Sequence, residues 1–315
     1  MERYRSLNAY LRETYGEKLY KLALDGGFTC PTRDGTLDTR GCIFCSARGS
    51  GDFAEDASRD VRAALARAKA RVAAKNPGGR YIAYFQSFTG TYAPAERLRA
   101  LYTAALSDPE VAVLSVATRP DCLGDEAVAL LRELNAAKPV WVELGLQTVH
   151  KKTARYIRRG YALPVYDEAV ERLHAAGLPV ITHVILGLPG ETAEMQFETV
   201  RHVGRVGSDG IKLQLLHVLE GTDLAADYRV GKFEALTLEE YLPLLAGCVE
   251  RLRPDMVVHR LTGDGAKRDL IAPLWSADKK RVLNAVRRWF DEYGVVQGRL
   301  YEKVEKEEFG AGLSV

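Results

Sequence analysis

Residues 111–146, VAVLSVATRPDCLGDEAVALLRELNAAKPVWVELGL, contain the unit that decides the fold of this chain. A mainly apolar run comes first, an amphipathic stretch follows over residues 125–136, and a second apolar run begins at Val140. A strand, a helix and a second strand in this order are typical of parallel sheets covered by helices. We therefore predict an α/β fold built from repeats of this unit.

The same unit recurs along the chain. Six apolar runs predict strands: KLYKLAL, YIAYFQS, VAVLSVAT, VWVELGL, PVITHVIL and IKLQLLHVL. Amphipathic stretches between them predict helices over residues 58–75, 94–105, 125–136, 164–176 and 192–206. Pro94 and Pro164 suit the first turns of helices, and Gly177 and Gly207 suit helix ends, so the start and stop signals agree with the hydrophobic periodicity.

Six such units, from about Tyr20 to Val218, fit a partial (β/α)6 barrel of the TIM type. An open doubly wound sheet gives a similar pattern, because periodicity reports the units and not whether the sheet curls. We predict three regions: an N-terminal extension over residues 1–19, the barrel over 20–218, and a C-terminal α/β extension over 219–315. The last contains a loop, a helix over 237–253, the strand-like run MVVHRL and a basic helix over 278–290.

The charges nearly cancel, with 44 Lys and Arg against 42 Asp and Glu, so the overall balance identifies no polyanionic partner. The amino terminus, MERYRSLNAYLRETYGEKLYK, is charged throughout and lacks the apolar core of a secretory signal. The stretch AAGLPVITHVILGLPG is interrupted by Gly and Pro and is shorter than the roughly 20 residues of a membrane span. We predict a cytoplasmic protein without a membrane segment.

Three of the five cysteines, Cys30, Cys42 and Cys45, lie within CPTRDGTLDTRGCIFC. In a reducing compartment such clusters more often bind metal or perform chemistry than form disulfides. A closed zinc site needs four ligands, whereas Cys122 and Cys248 are isolated and no histidine is nearby. Three thiolates suit a four-iron, four-sulfur cluster with one iron left open. The cysteines alone leave the cluster, zinc and plain structural thiols as alternatives.

Seven segments extend the argument from the cysteines to the whole chain. In order they are GFTCPTRDGT, GCIFC, YFQSFTGTYAP, TRPDCL, VELGLQT, HVILGLPGET and HRLTGDG. This set resembles the radical S-adenosylmethionine enzymes, in particular the YhcC-like branch, whose barrel is similar to that of the Elongator catalytic subunit. The resemblance implies that Cys30, Cys42 and Cys45 hold the cluster and that S-adenosylmethionine binds its open iron. It further implies cleavage of the cofactor to a 5'-deoxyadenosyl radical that removes hydrogen from a substrate. The first cysteine gap is longer than the superfamily's usual C-x3-C-x2-C spacing, and the common Gly-Gly-Glu after the second strand is absent.

Cofactor contacts are expected at the strand ends, where barrel loops converge. The resemblance assigns polar residues to the methionine end, a cation to its carboxylate, and a glycine turn to the adenine side. The residues are Gln86, Ser87, Thr89, Arg119, Glu143, Gln147, His183, Gly187, Leu215 and His217. Glu143 lies in an apolar run, where a charge is costly unless bonded, so we expect a ribose hydroxyl or a cation beside it. The alternatives are a polar turn after strand two, a salt bridge at Arg119, and core histidines at His183 and His217.

The resemblance implies a substrate in transfer RNA, at the C5 side chain of the wobble uridine, and an electron donor such as flavodoxin or ferredoxin. Two basic groups suit phosphates, although such runs are usually solvated helix faces. The first is Lys151, Lys152, Arg155, Arg158 and Arg159; the second is Lys279, Lys280, Arg281, Arg287 and Arg288. In HRLTGDG, Arg260 and Asp264 are further candidates for substrate contact. A small metabolite or peptide substrate, and a noncatalytic metal-binding scaffold, stay open as alternatives.

Overall fold

A computed structural model describes residues 2–263, 265 and 267–301 of the chain. The strands are β1 (Tyr20–Asp25), β2 (Glu55–Asp56), β3 (Tyr81–Phe85), β4 (Val111–Thr118), β5 (Val140–Gln147), β6 (Val180–Leu186), β7 (Gly210–Leu215), β8 (Val218–Leu219), β9 (Val257–Arg260) and β10 (Leu270–Ala272). The α-helices are α1 (Leu7–Tyr15), α2 (Val61–Val72), α3 (Ala95–Leu106), α4 (Asp125–Asn135), α5 (Lys151–Tyr156), α6 (Leu163–Ala175), α7 (Ala193–Arg205), α8 (Asp223–Arg229), α9 (Leu238–Glu250) and α10 (Lys279–Glu292).

The main sheet is parallel and has the strand order β2-β1-β3-β4-β5-β6-β7-β9. The six predicted strands are confirmed as its centre. Two strands are added at the edges: β2, which the sequence did not predict, and β9, which lies within the strand-like run assigned to the extension. Since β9 pairs with β7, the C-terminal region contributes to the barrel sheet itself. The separate pair of β8 and β10 lies outside this sheet.

The helices begin and end at the predicted proline and glycine signals. Pro94 is the N-cap of α3, and a proline occupies the first turn of α6. Gly177 and Gly207 follow α6 and α7 with φ values of 71° and 89°, a conformation that costs glycine least. The loop predicted after the sixth unit contains one further helix, α8, and the N-terminal region contains α1.

Contacts between distant strands show that the sheet curls. The hydroxyl oxygen of Tyr84 on β3 lies 3.0 Å from Nζ of Lys212 on β7, although four strand spacings separate β3 from β7. In a flat sheet those strands would lie roughly 19 Å apart at about 4.8 Å per step, beyond the reach of two side chains standing perpendicular to it. The edge strands β2 and β9 do not pair with each other among the described residues. The architecture is therefore an open partial barrel, as predicted.

Alternate residues of each strand face the outer helices or the inside of the barrel. The inner residues form two layers, one above the other along the barrel axis. The bottom layer is apolar and consists of Leu19, Ile82, Val113, Trp141 and Ile181, with Leu11 of α1 packed against it. The ionic layer above consists of Lys21, Tyr84, Ser115, Glu143, His183 and Lys212.

None of the described helices has the combination of length and apolar character that crossing a bilayer requires.

Candidate active site

A cavity opens at the carboxyl ends of the parallel strands. Its lining includes Gln86 after β3, Gln147 at the end of β5 and Gln214 near the end of β7. The loop between β1 and β2 covers one side of it and contributes Cys30, Cys42 and Cys45, all of them free thiols. The barrel interior and the cysteine loop thus meet in one place, as the position of the loop after the first strand predicted.

The three thiols are held in a protein environment that favours their neutral form. Cys30 Sγ lies 3.0 Å from Oγ1 of Thr89, and Cys42 Sγ lies 3.8 Å from the backbone oxygen of Arg158. Burial raises the pKa of Cys42 to about 12 and also raises the pKa of Cys30 and Cys45. A bound cation must therefore displace the thiol protons, which is the ordinary coupling of metal binding to cysteine ionisation.

The donor set fits a cluster. Within the described residues, no three His, Cys, Asp or Glu side chains gather around a position for a single metal ion. In a four-iron, four-sulfur cube each thiolate binds a different iron corner, so the sulfurs need not converge on one point. Three free thiols line the wall of one cavity, and three thiolates would leave one iron corner without a protein thiolate.

Backbone strain concentrates around the same cavity. Among the described residues, four that are not glycine have a positive φ: Ser50 at 67°, Phe88 at 55°, Gln147 at 68° and Arg158 at 56°. Three of these line the cavity, and Arg158 lies between two lining residues. Each left-handed residue costs roughly 1–2 kcal/mol, so the surrounding packing must enforce these conformations.

Unpaired buried polar atoms accompany the strain. Oγ of Ser87 and Oε1 of Gln147 are buried, and no described residue forms a hydrogen bond with either. A buried polar atom without a partner costs roughly 1–3 kcal/mol, and a polar ligand removes that cost. Gln147 lines the cavity, so a hydroxyl or amino group of a cofactor can reach its Oε1, whereas Ser87 is not part of the lining.

Other predicted cofactor residues already have protein partners. Gln86 donates from Nε2 to the backbone oxygen of Ser50 at 2.5 Å. Arg119 lines the cavity, but its Nε and Nη2 donate to the Asp121 carboxylate at 2.9 and 2.8 Å. The Asp121 carboxylate occupies the edge formed by Nε and Nη2, but Arg119 is buried, so this pair is not the surface salt bridge left as the alternative, and the cofactor contact stays a prediction.

Glu143 is the centre of the ionic layer. Its Oε1 accepts from Lys21 Nζ at 2.9 Å and from Ser115 Oγ at 2.7 Å, while Oε2 accepts from His183 Nε2 at 2.7 Å and from Lys212 Nζ. Of the two expectations for Glu143, the cationic partner is confirmed. Protein donors occupy both oxygens, and the ribose contact stays a prediction. Burial acts to raise the pKa of Glu143, but the two lysines outweigh it and hold the pKa well below its usual range.

The sequence reasoning missed Lys21, Tyr84 and Lys212, which all line or underlie the cavity. A signal was present, because both lysines interrupt apolar runs that become strands, as Glu143 does. A charge in such a run is costly unless paired. Spacing along one strand, however, does not identify a partner on a strand far away in the sequence.

Three of the remaining predicted residues, Leu215, His217 and Arg260, line the cavity. Gly187 does not belong to the lining; with φ at 85° it turns the chain after β6, and a Cβ there would lie 2.9 Å from Leu236. The close approach to Leu236 is a structural reason for glycine here, and its expected place beside adenine stays a prediction. Asp264 lies outside the described residues.

The basic group after β5 is divided by the structure. Lys151, Lys152 and Arg155 are exposed on α5, which begins directly beyond the carboxyl end of β5. Arg158 pairs with Asp223. Arg159 is buried, and its guanidinium donates to the backbone oxygen of Tyr161 in its own loop and to that of Leu146 in β5 at 3.1 Å.

The placement of Arg159 corrects one expectation, because its buried donors are not available to a phosphate. The second basic group behaves differently. Its members are all exposed on α10: Lys279, Lys280, Arg281, Arg287 and Arg288.

Comparison with known proteins adds two family matches. Residues 39–203 match the model of the Radical SAM superfamily, and residues 208–292 match the model of the Radical_SAM C-terminal domain. Among similar proteins, YtqA of Bacillus subtilis is 45% identical over 306 residues, covering 97% of this chain and 95% of that protein. Protein YhcC of Escherichia coli is 37% identical over 286 residues, covering 90% of this chain and 91% of that protein.

More distant similarity is partial. A tRNA uridine(34) acetyltransferase of Methanocaldococcus jannaschii is 28% identical over 136 residues, which cover 42% of this chain and 25% of that protein. Among solved structures, the archaeal Elp3 of Methanocaldococcus infernus superposes with a TM-score of 0.67 at 17% identity, over 90% of this chain and 67% of that one. At that identity the superposition supports the shared fold.

Proposed function

Because the chain belongs to the radical SAM superfamily, we propose that it modifies the C5 side chain of a wobble uridine in transfer RNA. Members of this superfamily use a four-iron, four-sulfur cluster and S-adenosylmethionine. One observation carries the enzymatic part of the proposal: three thiols, three strained residues and the unpaired Oε1 of Gln147 share one cavity at the carboxyl ends of the barrel strands. A scaffold that only stores metal has no use for the strain and the unpaired atom.

The residues of this chain have separate tasks in the proposed reaction. Cys30, Cys42 and Cys45 hold the cluster, and Gln147 offers its unpaired Oε1 to the cofactor. When bound, the cluster and S-adenosylmethionine supply a 5'-deoxyadenosyl radical that removes a hydrogen atom from the substrate. The apolar layer below the cavity limits the entry of water from the amino ends of the strands.

Two observations support transfer RNA as the substrate. The first is the partial similarity to a tRNA uridine(34) acetyltransferase over 136 residues, which are 42% of this chain. The exposed cations Lys151, Lys152 and Arg155 stand on the helix that follows β5, near the open end of the barrel, where a phosphate backbone can approach. We place the reaction in the cytoplasm, with a flavodoxin or ferredoxin as the electron donor.

The cofactor chemistry is tested by anaerobic reconstitution with iron and sulfide. The protein should become brown and, once reduced, should cleave S-adenosylmethionine; Cys42→Ala should lose both properties. Cys248→Ala is the matched control, because this thiol is buried in α9 outside the cavity. Cofactor cleavage that persists in the Cys42→Ala protein would refute the ligand assignment.

The substrate is tested by deleting the gene and measuring transfer-RNA nucleosides by mass spectrometry. We expect one wobble-uridine modification to disappear and its precursor to accumulate, with restoration by the intact gene but not by the Cys42→Ala gene. An unchanged nucleoside profile would reject transfer RNA and favour a small metabolite or a peptide as the substrate.

A further inference from the structure

The ionic layer contains one polar atom that its own network does not use. His183 stands at the middle of β6, and its neighbours in sequence, Thr182 and Val184, face the outer helices. The His183 ring therefore faces the barrel interior, where it lines the cavity with its side chain 14% exposed. Nε2 lies 2.7 Å from Oε2 of Glu143. Among the described residues no donor reaches Nδ1, so this nitrogen is the remaining polar atom of the ring.

The protonation of the ring follows from its partner. Burial, and next the charge of Lys212, lowers the pKa of His183 to about 4, so the ring is neutral near pH 7. A neutral imidazole has one N–H, and an ionised carboxylate can only accept. Glu143 is ionised, because Lys21 and Lys212 both donate to it. The proton must therefore lie on Nε2, which leaves Nδ1 with a lone pair.

From this arrangement we infer that Nδ1 of His183 accepts a hydrogen bond from an N–H or O–H group of the substrate. Glu143 acts as a positioning residue, since it fixes both the orientation and the tautomer of the ring. Two lysines and a tyrosine make the layer rich in donors, and the oxygens of Glu143 are already engaged. An acceptor that still has a free lone pair therefore discriminates strongly between substrates. This inference rests on the proposed function, in which the donor belongs to a uridine nucleotide, through its base imino group or its ribose hydroxyl.

Two substitutions separate this role from a structural one. The side-chain amide of Asn reaches the position of Nδ1 and offers an acceptor there, whereas that of Gln reaches the position of Nε2 and keeps a donor toward Glu143. If Nδ1 binds substrate, His183→Asn should retain most activity and His183→Gln should raise KM for transfer RNA about tenfold. If the ring only supports Glu143, the order should reverse, and that result would overturn the inference.

Cofactor cleavage without substrate provides the control for both variants. If the contact is with the substrate, the loss in the His183→Gln protein should be larger for the modification of transfer RNA than for cofactor cleavage. An equal loss of cleavage in the His183→Gln protein would mean that the ring contacts the cofactor instead, and the inference would fall.

The tautomer is measured without any substrate from nitrogen-15 chemical shifts of labelled histidine in the reconstituted full-length protein at pH 7. The His183→Asn spectrum identifies the signal. We expect Nε2 to carry the proton; a proton on Nδ1 would overturn the inference whatever the substrate is. Transfer RNA left unmodified by the unaltered enzyme would count against the proposed function alone, since the nitrogen shifts do not depend on it.

Discussion

The two ends of the barrel interior are built from the same strands and differ in almost every physical respect. At the amino ends, Trp141 and Ile181 pack into an apolar layer that α1 closes with Leu11. At the carboxyl ends, the same strands present polar residues, left-handed conformations and unpaired atoms around the thiols. The difference teaches that stability and function are separated along each strand, as in barrels generally.

The ionic layer marks the boundary between these two ends. Glu143 has an exposure of 0% and Lys212 of 3%, and Lys21 is the second lysine on the same carboxylate. One negative charge thus faces two cations with little solvent. Such a layer is stable only when complete, because desolvation is compensated by the pairing of every member.

The largest effect is expected at this boundary. Glu143→Ala should lower the free energy of unfolding by about 3–5 kcal/mol, because it leaves two lysines in the interior without a counter-charge. Urea unfolding followed by circular dichroism measures the loss. Glu133→Ala is the control, since Glu133 pairs with Arg99 on the surface and its removal should change the midpoint little. A loss below about 1 kcal/mol for Glu143→Ala would mean that the layer does not stabilise the barrel.

A smaller effect is expected at the amino ends. Ile181→Ala leaves a cavity in the apolar layer and should cost about 2–4 kcal/mol of unfolding free energy. The affinity of the folded protein for S-adenosylmethionine should stay unchanged, because Ile181 does not line the active-site cavity. Leu283→Ala on the exposed side of α10 serves as the control. Weakened cofactor binding in the Ile181→Ala protein would show that the two ends are coupled.

The smallest effect is expected at the strained residue Gln147. Gln147→Gly removes a left-handed cost of about 1–2 kcal/mol and adds an entropic cost of about 0.5–1 kcal/mol, so stability should rise slightly. Affinity for S-adenosylmethionine should fall together with this gain, because the unpaired Oε1 is lost. Equilibrium dialysis and urea unfolding measure both. Unchanged affinity would show that Gln147 does not contact the cofactor. Gln147→Asn is the matched variant, because asparagine tolerates the left-handed conformation.

Much of the fold could be predicted because it depends on local signals. Apolar runs of strand length and amphipathic stretches gave the six central strands and the helices between them, with Gly177 and Gly207 at their ends. The predicted boundary between barrel and extension at residue 218 stays a prediction. The edge strands were harder, because β2 has two residues and β9 joins the sheet only through pairing with β7.

The site was predicted in part. The cysteine spacing and the polar strand ends located the cavity, since the carboxyl ends of parallel strands converge at one edge. The tertiary partners of Arg119, Glu143 and Arg159 were not accessible, because each depends on which atoms a folded loop or distant strand brings within bonding distance. The close approach of Leu236 to Gly187 was not predictable either, and the adenine contact of this glycine stays a prediction.

The sequence by itself determined the repeating strand-helix units, the three-cysteine loop after the first strand and the charges placed within apolar runs, because these are properties of neighbouring residues. Only the tertiary structure decided that the sheet curls, that Lys21 and Lys212 meet on Glu143, and that His183 keeps a free nitrogen toward the cavity. The physical reason is that curling brings together side chains from strands far apart in the chain, and the hydrogen-bond capacity of each group then fixes which atom stays available.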